Sequence, residues 1–249
     1  MFKGYVLHTS SYRETSLIVK FFTKEHGIVN LIANGAKRKK SQFAAILHGF
    51  IPLSLYWKRH NAELALLYKA ETHGPPYRLT SKYLFSALYI NELLVKLLIS
   101  HDPQIELFDL YEKFLQALSL HNKANKIGDI NNSEQEQSQQ IFLQQQLRSM
   151  EKNILKAMGY ALQLDRESQT GHLVDYQQEY YFDFDNGVTL YNPQELQLFS
   201  NKITGKALLA LHHDNLTELT DLKQAKLFMR QILANFLGNK SLITRKLFI

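Results

Sequence analysis

Residues 16–23 are rich in β-branched and aromatic side chains, the turn sequence Lys24-Glu25-His26-Gly27 follows, and the same texture resumes over 28–33 before Asn34-Gly35. The spacing predicts an antiparallel hairpin. Residues 50–58 alternate: Ile51, Leu53, Leu55 and Trp57 fall on one face, Ser54, Tyr56 and Lys58 on the other. That is the pattern of a half-buried strand, with Pro52 near its start or on an edge. Residues 62–70 give a further strand, though their Ala and Leu content also tolerates a helix. About five short strands over the first 70 or so residues suit a small closed sheet of OB type, which periodicity does not separate from an SH3-like barrel.

After Gly74-Pro75-Pro76 the period changes. Residues 83–99, with Leu84, Leu88, Leu93 and Leu97 among many apolar positions, predict a helix that is apolar on most sides, as at the centre of a bundle. Asp102-Pro103 breaks it, and 105–120 predict a second helix. The Asn/Gln-rich stretch 121–140 suggests a flexible linker or surface loop. A third helix is expected over 141–158, stopped by Gly159. Residues 180–190, turning at Asp185-Asn186-Gly187, predict a small hairpin. Asn192-Pro193-Gln194-Glu195 has the order of a helix cap, a proline at the first position and a capping acid. Helices follow over 206–212, 221–237 and 241–248, and no internal repeat is present. The expected class is α+β: an OB-type barrel domain over 1–78, then a helical domain over 79–249 that carries the linker and a hairpin insert at about 160–191.

Composition narrows the chemistry. The 249 residues, 45% hydrophobic and 21% charged, are ordinary for a globular protein. Cysteine is absent, which excludes disulfides, thiolate zinc sites, iron–sulfur ligation and cysteine nucleophiles, and fits a reducing compartment. The start lacks the basic-then-apolar pattern of a secretory signal. The longest uncharged stretch, 17 residues from Ser41 to Trp57, holds Gln42, His48, Gly49 and Pro52 and suits no transmembrane helix. A soluble, cytoplasmic protein is expected.

Charge is segregated along the chain. Residues 1–80 carry 12 Lys/Arg against 4 Asp/Glu, residues 81–200 carry 9 against 16, and residues 201–249 carry 8 against 3. A basic head points to a polyanion, either nucleic acid or an anionic membrane surface. Its centre is Ala36-Lys37-Arg38-Lys39-Lys40-Ser41, where four consecutive cations outnumber what nearby acids can pair, so phosphate contact is the simple expectation. Arg13, Lys20, Lys58 and Arg59 add to the same half, and Tyr12, Phe22 and Tyr56 are possible stacking platforms for unpaired bases. The bland alternatives are a solvated loop and barrel packing.

Nothing resembles an active site. Asp183 and Asp185 share a strand face and could in principle hold a metal for a nuclease, but no third ligand is near in sequence. His212 and His213 are adjacent on a predicted helix and are expected to point apart. No serine sits in a nucleophile elbow, and there is neither a phosphate loop nor a GxGxxG. No enzyme activity, cofactor or metal is therefore expected. Lys223, Lys226 and Arg230 share one helix face, and Arg148 lies on another helix of the same half. Such a face can dock an acidic, hydrophobic peptide tail, or merely solubilise.

Several ordered segments resemble bacterial RecO recombination-mediator proteins. They are Tyr12-Arg13-Glu14-Thr15-Ser16-Leu17-Ile18-Val19, Asn34-Gly35-Ala36-Lys37-Arg38, Gly49-Phe50-Ile51-Pro52-Leu53 and Leu88-Tyr89-Ile90-Asn91-Glu92-Leu93-Leu94. Leu147-Arg148, Met158-Gly159-Tyr160 and Arg245-Lys246-Leu247-Phe248 continue the order. The resemblance implies an N-terminal OB domain, a helical domain and a role in the RecF pathway of recombinational repair. It implies binding of single- and double-stranded DNA, annealing of complementary strands, and engagement of RecR and of the acidic C-terminal tail of single-stranded DNA-binding protein, which helps RecA load. Such a protein is cytoplasmic and nucleoid-associated during repair. Carried over residue by residue, DNA contact falls on Arg13, Lys37, Arg38, Lys39 and Lys40, and tail docking on Arg148, Lys223, Lys226 and Arg230. Many family members carry four zinc-binding cysteines between the positions of Tyr160 and Leu190; this chain has none, so its insert must be held by side-chain packing. An OB-type RNA-binding protein with a helical dimerisation domain is the alternative, since the fold does not separate DNA from RNA.

Overall fold

The computed structural model describes residues 1–58, 64–127, 133–192, 202–238 and 240–248. Packing gathers residues 1–127 and 242–249 into one compact unit and 128–241 into a second.

In the first unit, β1 (Phe2–Tyr12), β2 (Ser16–Thr23), β3 (Gly27–Ala33), β4 (Leu53–Trp57) and β5 (Ala65–Thr72) close into a barrel in the order β1-β2-β3-β5-β4. Neighbours are antiparallel except β3 and β5, which run parallel. This is the OB-type barrel, and the period-two patterning explains it. Val19, Phe21, Leu31, Leu53 and Leu55 point inward and are at most 1% exposed. Pro52 directly precedes β4, where its missing N–H costs no ladder bond. The connection from β3 to β4 sends Ala36, Phe43 and Leu47 into the same core.

The period then changes to helix: α1 spans Ser81–Leu97 and α2 spans Ile105–Ile127. Tyr5 and Phe22, opposite one another on β1 and β2, face away from the barrel interior and pack on α2. Their ring centroids lie 5.7 and 5.3 Å from Phe108, and 5.4 and 5.8 Å from Tyr111. Tyr5 donates to Glu112 at 2.7 Å, Lys24 pairs with Asp109 at 2.6 Å, and the buried Tyr111 hydroxyl donates to Asn91 of α1 at 2.6 Å. The turn between β2 and β3 runs against the α1–α2 connection so closely that a Cβ on Gly27 would collide with the Asp102 carbonyl; its φ of +61° also favours glycine.

The expected linker over 121–140 is instead mostly helix. α2 continues through 121–127, and α3 (Ser133–Ala157) begins well before residue 141; residues 128–132 lie outside the described residues. Two causes override composition. Asn122 is 3% exposed and bonds Thr80 and the Arg78 carbonyl, while His121 and Asn125 both bond the Tyr83 hydroxyl, so these polar side chains are interior contacts. Glu and Gln, which dominate 134–140, are good helix formers.

The second unit holds α3, which stops before Gly159 (φ +89°) as expected, and the hairpin β6 (Glu179–Asp183) and β7 (Gly187–Leu190). A two-residue strand β8 (Ile203–Thr204), not evident from the sequence, pairs with β6 and leads into α4 (Gly205–His212); α5 (Leu219–Leu237) follows. The insert is knitted without cysteine. Ser168 donates its N–H to the Val188 carbonyl at 2.9 Å and accepts from the Val188 N–H at 3.0 Å, while Leu164, Val174, Tyr180 and Val188 are buried. The predicted cap at Asn192-Pro193-Gln194-Glu195 falls, from Pro193 on, outside the described residues. The final helix expected over 241–248 is a 3-10 helix, Ile243–Phe248, which belongs to the first unit.

Candidate nucleic-acid interface

β1 and β2 are joined by Arg13-Glu14-Thr15, closed by the pair Tyr12 and Ser16. Arg13 adopts φ +50°, a left-handed conformation costly for an L residue, and its guanidinium sits 5.2 Å from the centroid of the half-buried Tyr12 ring. The loop leaving β3 is fastened to this turn. The Lys37 N–H donates to the Thr15 carbonyl at 2.9 Å, and Ser16 donates to Asn34 Oδ1 at 3.3 Å. Arg38 N–H to Gly35 O and Ser41 N–H to Arg38 O, both 3.0 Å, coil the loop into successive turns. Ala36 and Phe43, on either side of the tetrad, are 3% and 5% exposed and anchor the loop in the barrel core. Lys37, Arg38, Lys39 and Lys40 are left facing solvent beside Arg13. Among the described residues none of these five cations forms an ion pair.

Barrel topology brings the end of β4 and the start of β5 to this end as well. The parallel pairs Leu31–Ala65 and Ile32–Leu66 set the start of β5 beside the end of β3, and Trp57–Leu67 sets the end of β4 there too. Lys58 is therefore at the same end; Arg59 lies outside the described residues. Lys58 Nζ stands 5.9 Å from the Tyr68 ring centroid, and Tyr68 lies 6.1 Å from Tyr56, each tyrosine 42% exposed. Lys20 is half-buried in mid-strand between His8 and Asn30. Phe22 is no stacking platform: it is 0% exposed, because α2 covers that face.

In the second unit, α5 displays Lys223, Lys226 and Arg230 with the 48%-exposed Leu227 among them. Burial chiefly, then the charges of Arg148 and Arg230, pull the Lys226 ammonium below its ordinary value, with Glu151 acting against them. Arg148 is different. It is 4% exposed and its Nη2 pairs with Glu151 of α3 at 2.6 Å, while its buried Nε has no hydrogen-bond partner among the described residues. Asp183 is occupied as well: Oδ1 accepts the N–H groups of Asp185 at 2.9 Å and Asn186 at 2.7 Å, fixing the hairpin turn. Among the described residues there is no group of three or more potential metal ligands. His212 and His213 do not point apart; their rings meet edge to face at 4.7 Å, because His213 is already the helix cap, with φ −85° and ψ 6°.

The family profile described as Recombination protein O N terminal matches residues 1–76, and Recombination protein O C terminal matches 78–130. This chain belongs to the RecO family. A protein named DNA repair protein RecO from Methylococcus capsulatus is 36% identical over 245 residues, covering 98% of this chain and 91% of its own length. One of the same name from Nitrosospira multiformis is 35% identical over 245 residues, with 98% and 92% covered, and one from Actinobacillus pleuropneumoniae serotype 5b is 34% identical over 248, with 99% and 93%. Set beside the RecO resemblance, five of the expected cations gather at one barrel end, Lys58 joins them by topology, and the exposed Tyr68 beside Lys58 was not among the expected aromatics. Its signal was present but subtle. In Leu67-Tyr68-Lys69-Ala70 the two inward residues are three apart, not two, because a bulge opposite Tyr56 and Trp57 shifts the register.

Among the described residues, no helix is long and apolar enough to cross a membrane.

Proposed function

We propose that this chain is a recombination mediator that binds single- and double-stranded DNA through the basic end of its barrel and anneals complementary strands without bond chemistry. Membership in a family of DNA repair proteins supports the coarse role. The finer role rests on one observation: the hydrogen bond from Lys37 to Thr15 gathers Arg13 with four consecutive exposed cations that no described carboxylate neutralises. Such a surface screens two phosphate backbones and lets bases meet, after which pairing supplies the free energy. In this proposal residues 1–78 form the DNA-binding domain and 79–249 the partner-binding one. Lys223, Lys226 and Arg230, around Leu227, offer charge and an apolar contact to the acidic tail of single-stranded DNA-binding protein, whereas Arg148, buried and paired with Glu151, does not reach that surface. Engagement of RecR and assistance to RecA loading complete the role, in the cytoplasm and at the nucleoid.

The test is annealing of complementary oligonucleotides, bare or coated with single-stranded DNA-binding protein, with or without that protein's tail. Lys37/Arg38/Lys39/Lys40→Ala should fail on bare and coated strands alike. Lys223/Lys226/Arg230→Ala should fail only on coated strands whose tail is intact. Arg148 is a poor choice for this test, since it is buried and its loss breaks the pair with Glu151, which disturbs the fold as well as the charge. If about five phosphates are neutralised, the logarithmic salt slope for a single strand is about −3.5. A slope near zero, or annealing undiminished in the first variant, removes the proposal.

A further inference from the structure

The outer surface of β4 and β5 carries aromatic rings that the barrel does not use. Tyr56 and Lys58 alternate with the buried Leu55 and Trp57, and so face outward. The bulge opposite Tyr56 and Trp57 turns Tyr68 to the same side, where its ring centroid lies 6.1 Å from that of Tyr56. The two planes are inclined by 51°, so the rings form an angled surface and not a slot into which a base could slide. Each ring keeps 42% of its surface in solvent, and Lys58 Nζ stands 5.9 Å from the Tyr68 centroid. Of the other charges on this face among the described residues, Lys69 and Glu71 neutralise one another at 2.6 Å, while Lys3 sits in the row of Ser54. The face is thus aromatic, net positive, and continuous with the cationic end of the barrel.

A polynucleotide fits these features better than a protein does. Phosphates answer Lys58 and the adjoining tetrad, and unpaired bases offer flat faces to the two phenol rings. A duplex cannot use the rings, because its bases are stacked on each other. We infer that Tyr56 and Tyr68 form a stacking platform for unpaired bases, which gives the basic barrel end a preference for single strands over duplex. The inference rests on the DNA-binding role proposed above: the tetrad supplies phosphate affinity that is blind to strandedness, and the tyrosine pair adds the discrimination. In annealing, the platform holds a strand only until its bases pair, so the product duplex leaves the site more readily than its substrate.

The test compares three probes by fluorescence anisotropy: an oligothymidylate, a fully abasic strand of the same length, and a duplex of that length. Wild type should bind oligothymidylate more tightly than the abasic strand. Tyr56→Ala/Tyr68→Ala should lower affinity for oligothymidylate by about ten-fold, as expected for one lost base stack, with abasic-strand affinity, duplex affinity and salt slope unchanged. Tyr56→Phe/Tyr68→Phe keeps both ring faces and should retain the preference. Circular dichroism melting of all three proteins identifies any general loss of structure. Equal wild-type binding of abasic strand and oligothymidylate overturns the platform and leaves the basic-end proposal standing. Equal loss on all three probes in a folded double-alanine variant also overturns it. Absence of binding to every probe overturns both.

Discussion

Arg13 concentrates the tension between stability and function into one position. Its φ of +50° costs an L residue roughly 1–2 kcal/mol, and glycine at the same place would relieve that strain at about 0.5–1 kcal/mol of extra chain entropy. Arg13→Gly is therefore expected to melt no lower than wild type, while losing a guanidinium from the cationic end and binding single strands a few-fold less tightly. Thermal melting and a binding titration of the same preparation check both halves; a clear fall in melting temperature contradicts the strain argument. This position also indicates how much of the proposed interface was legible. Cation identity and clustering are sequence properties, so Arg13, Lys37, Arg38, Lys39 and Lys40 were nameable from the chain. Which aromatic side chains stay exposed is a packing property. Phe22 was lost to α2 and Tyr68 was gained through a bulge, and neither event is written in local periodicity.

At the scale of elements, the insert tests how a fold segment is held without cysteine. Gly187 opens β7 at φ +74°, and a Cβ there would strike the Ser168 hydroxyl, the group that accepts from the Val188 N–H. Gly187→Ala should then combine backbone strain with a lost hydrogen bond, a destabilisation of about 1–3 kcal/mol, seen as a lower melting temperature. A chelator should leave wild-type melting unchanged. If it lowers that temperature, packing alone does not hold the insert. The hairpin itself was readable, because Asp185-Asn186-Gly187 is a turn signature flanked by alternating residues. β4 was readable for the same reason, its alternation surviving intact into the barrel. The stretch 121–140 was not, because Asn and Gln signal loops by composition, whereas the hydrogen bonds that make Asn122 an interior residue come from residues more than forty positions away. The two-residue β8 leaves no periodic signal at all.

Across the whole molecule, the first unit contains both ends of the chain: it runs to residue 127 and is rejoined at residue 242. Glu92 on α1 makes that return specific. Its carboxylate accepts the Ile243 N–H at 2.9 Å, the Thr244 N–H at 2.9 Å and the Thr244 hydroxyl at 2.6 Å, and pairs with Lys96 at 2.9 Å. A carboxylate in this place satisfies the first free N–H groups of the 3-10 helix, as a cap does. Burial alone would push the Glu92 carboxyl up, but the bonds from Thr244, Ile243 and Lys96 together outweigh it and hold it at about 2, against an ordinary 4.5. Because the folded value is depressed, the clamp contributes its full stability above pH 4.5 and loses it as pH falls towards 2. Hydrogen exchange of residues 242–248, corrected for the intrinsic rate at each pH, should accelerate across that window in wild type. In Glu92→Ala it should already be fast at neutral pH and show no such transition, while exchange in β2 and β3 stays slow. Equal protection of 242–248 in the two proteins at neutral pH would mean that the apolar contacts of the terminal segment, not the carboxylate, hold the chain end in place.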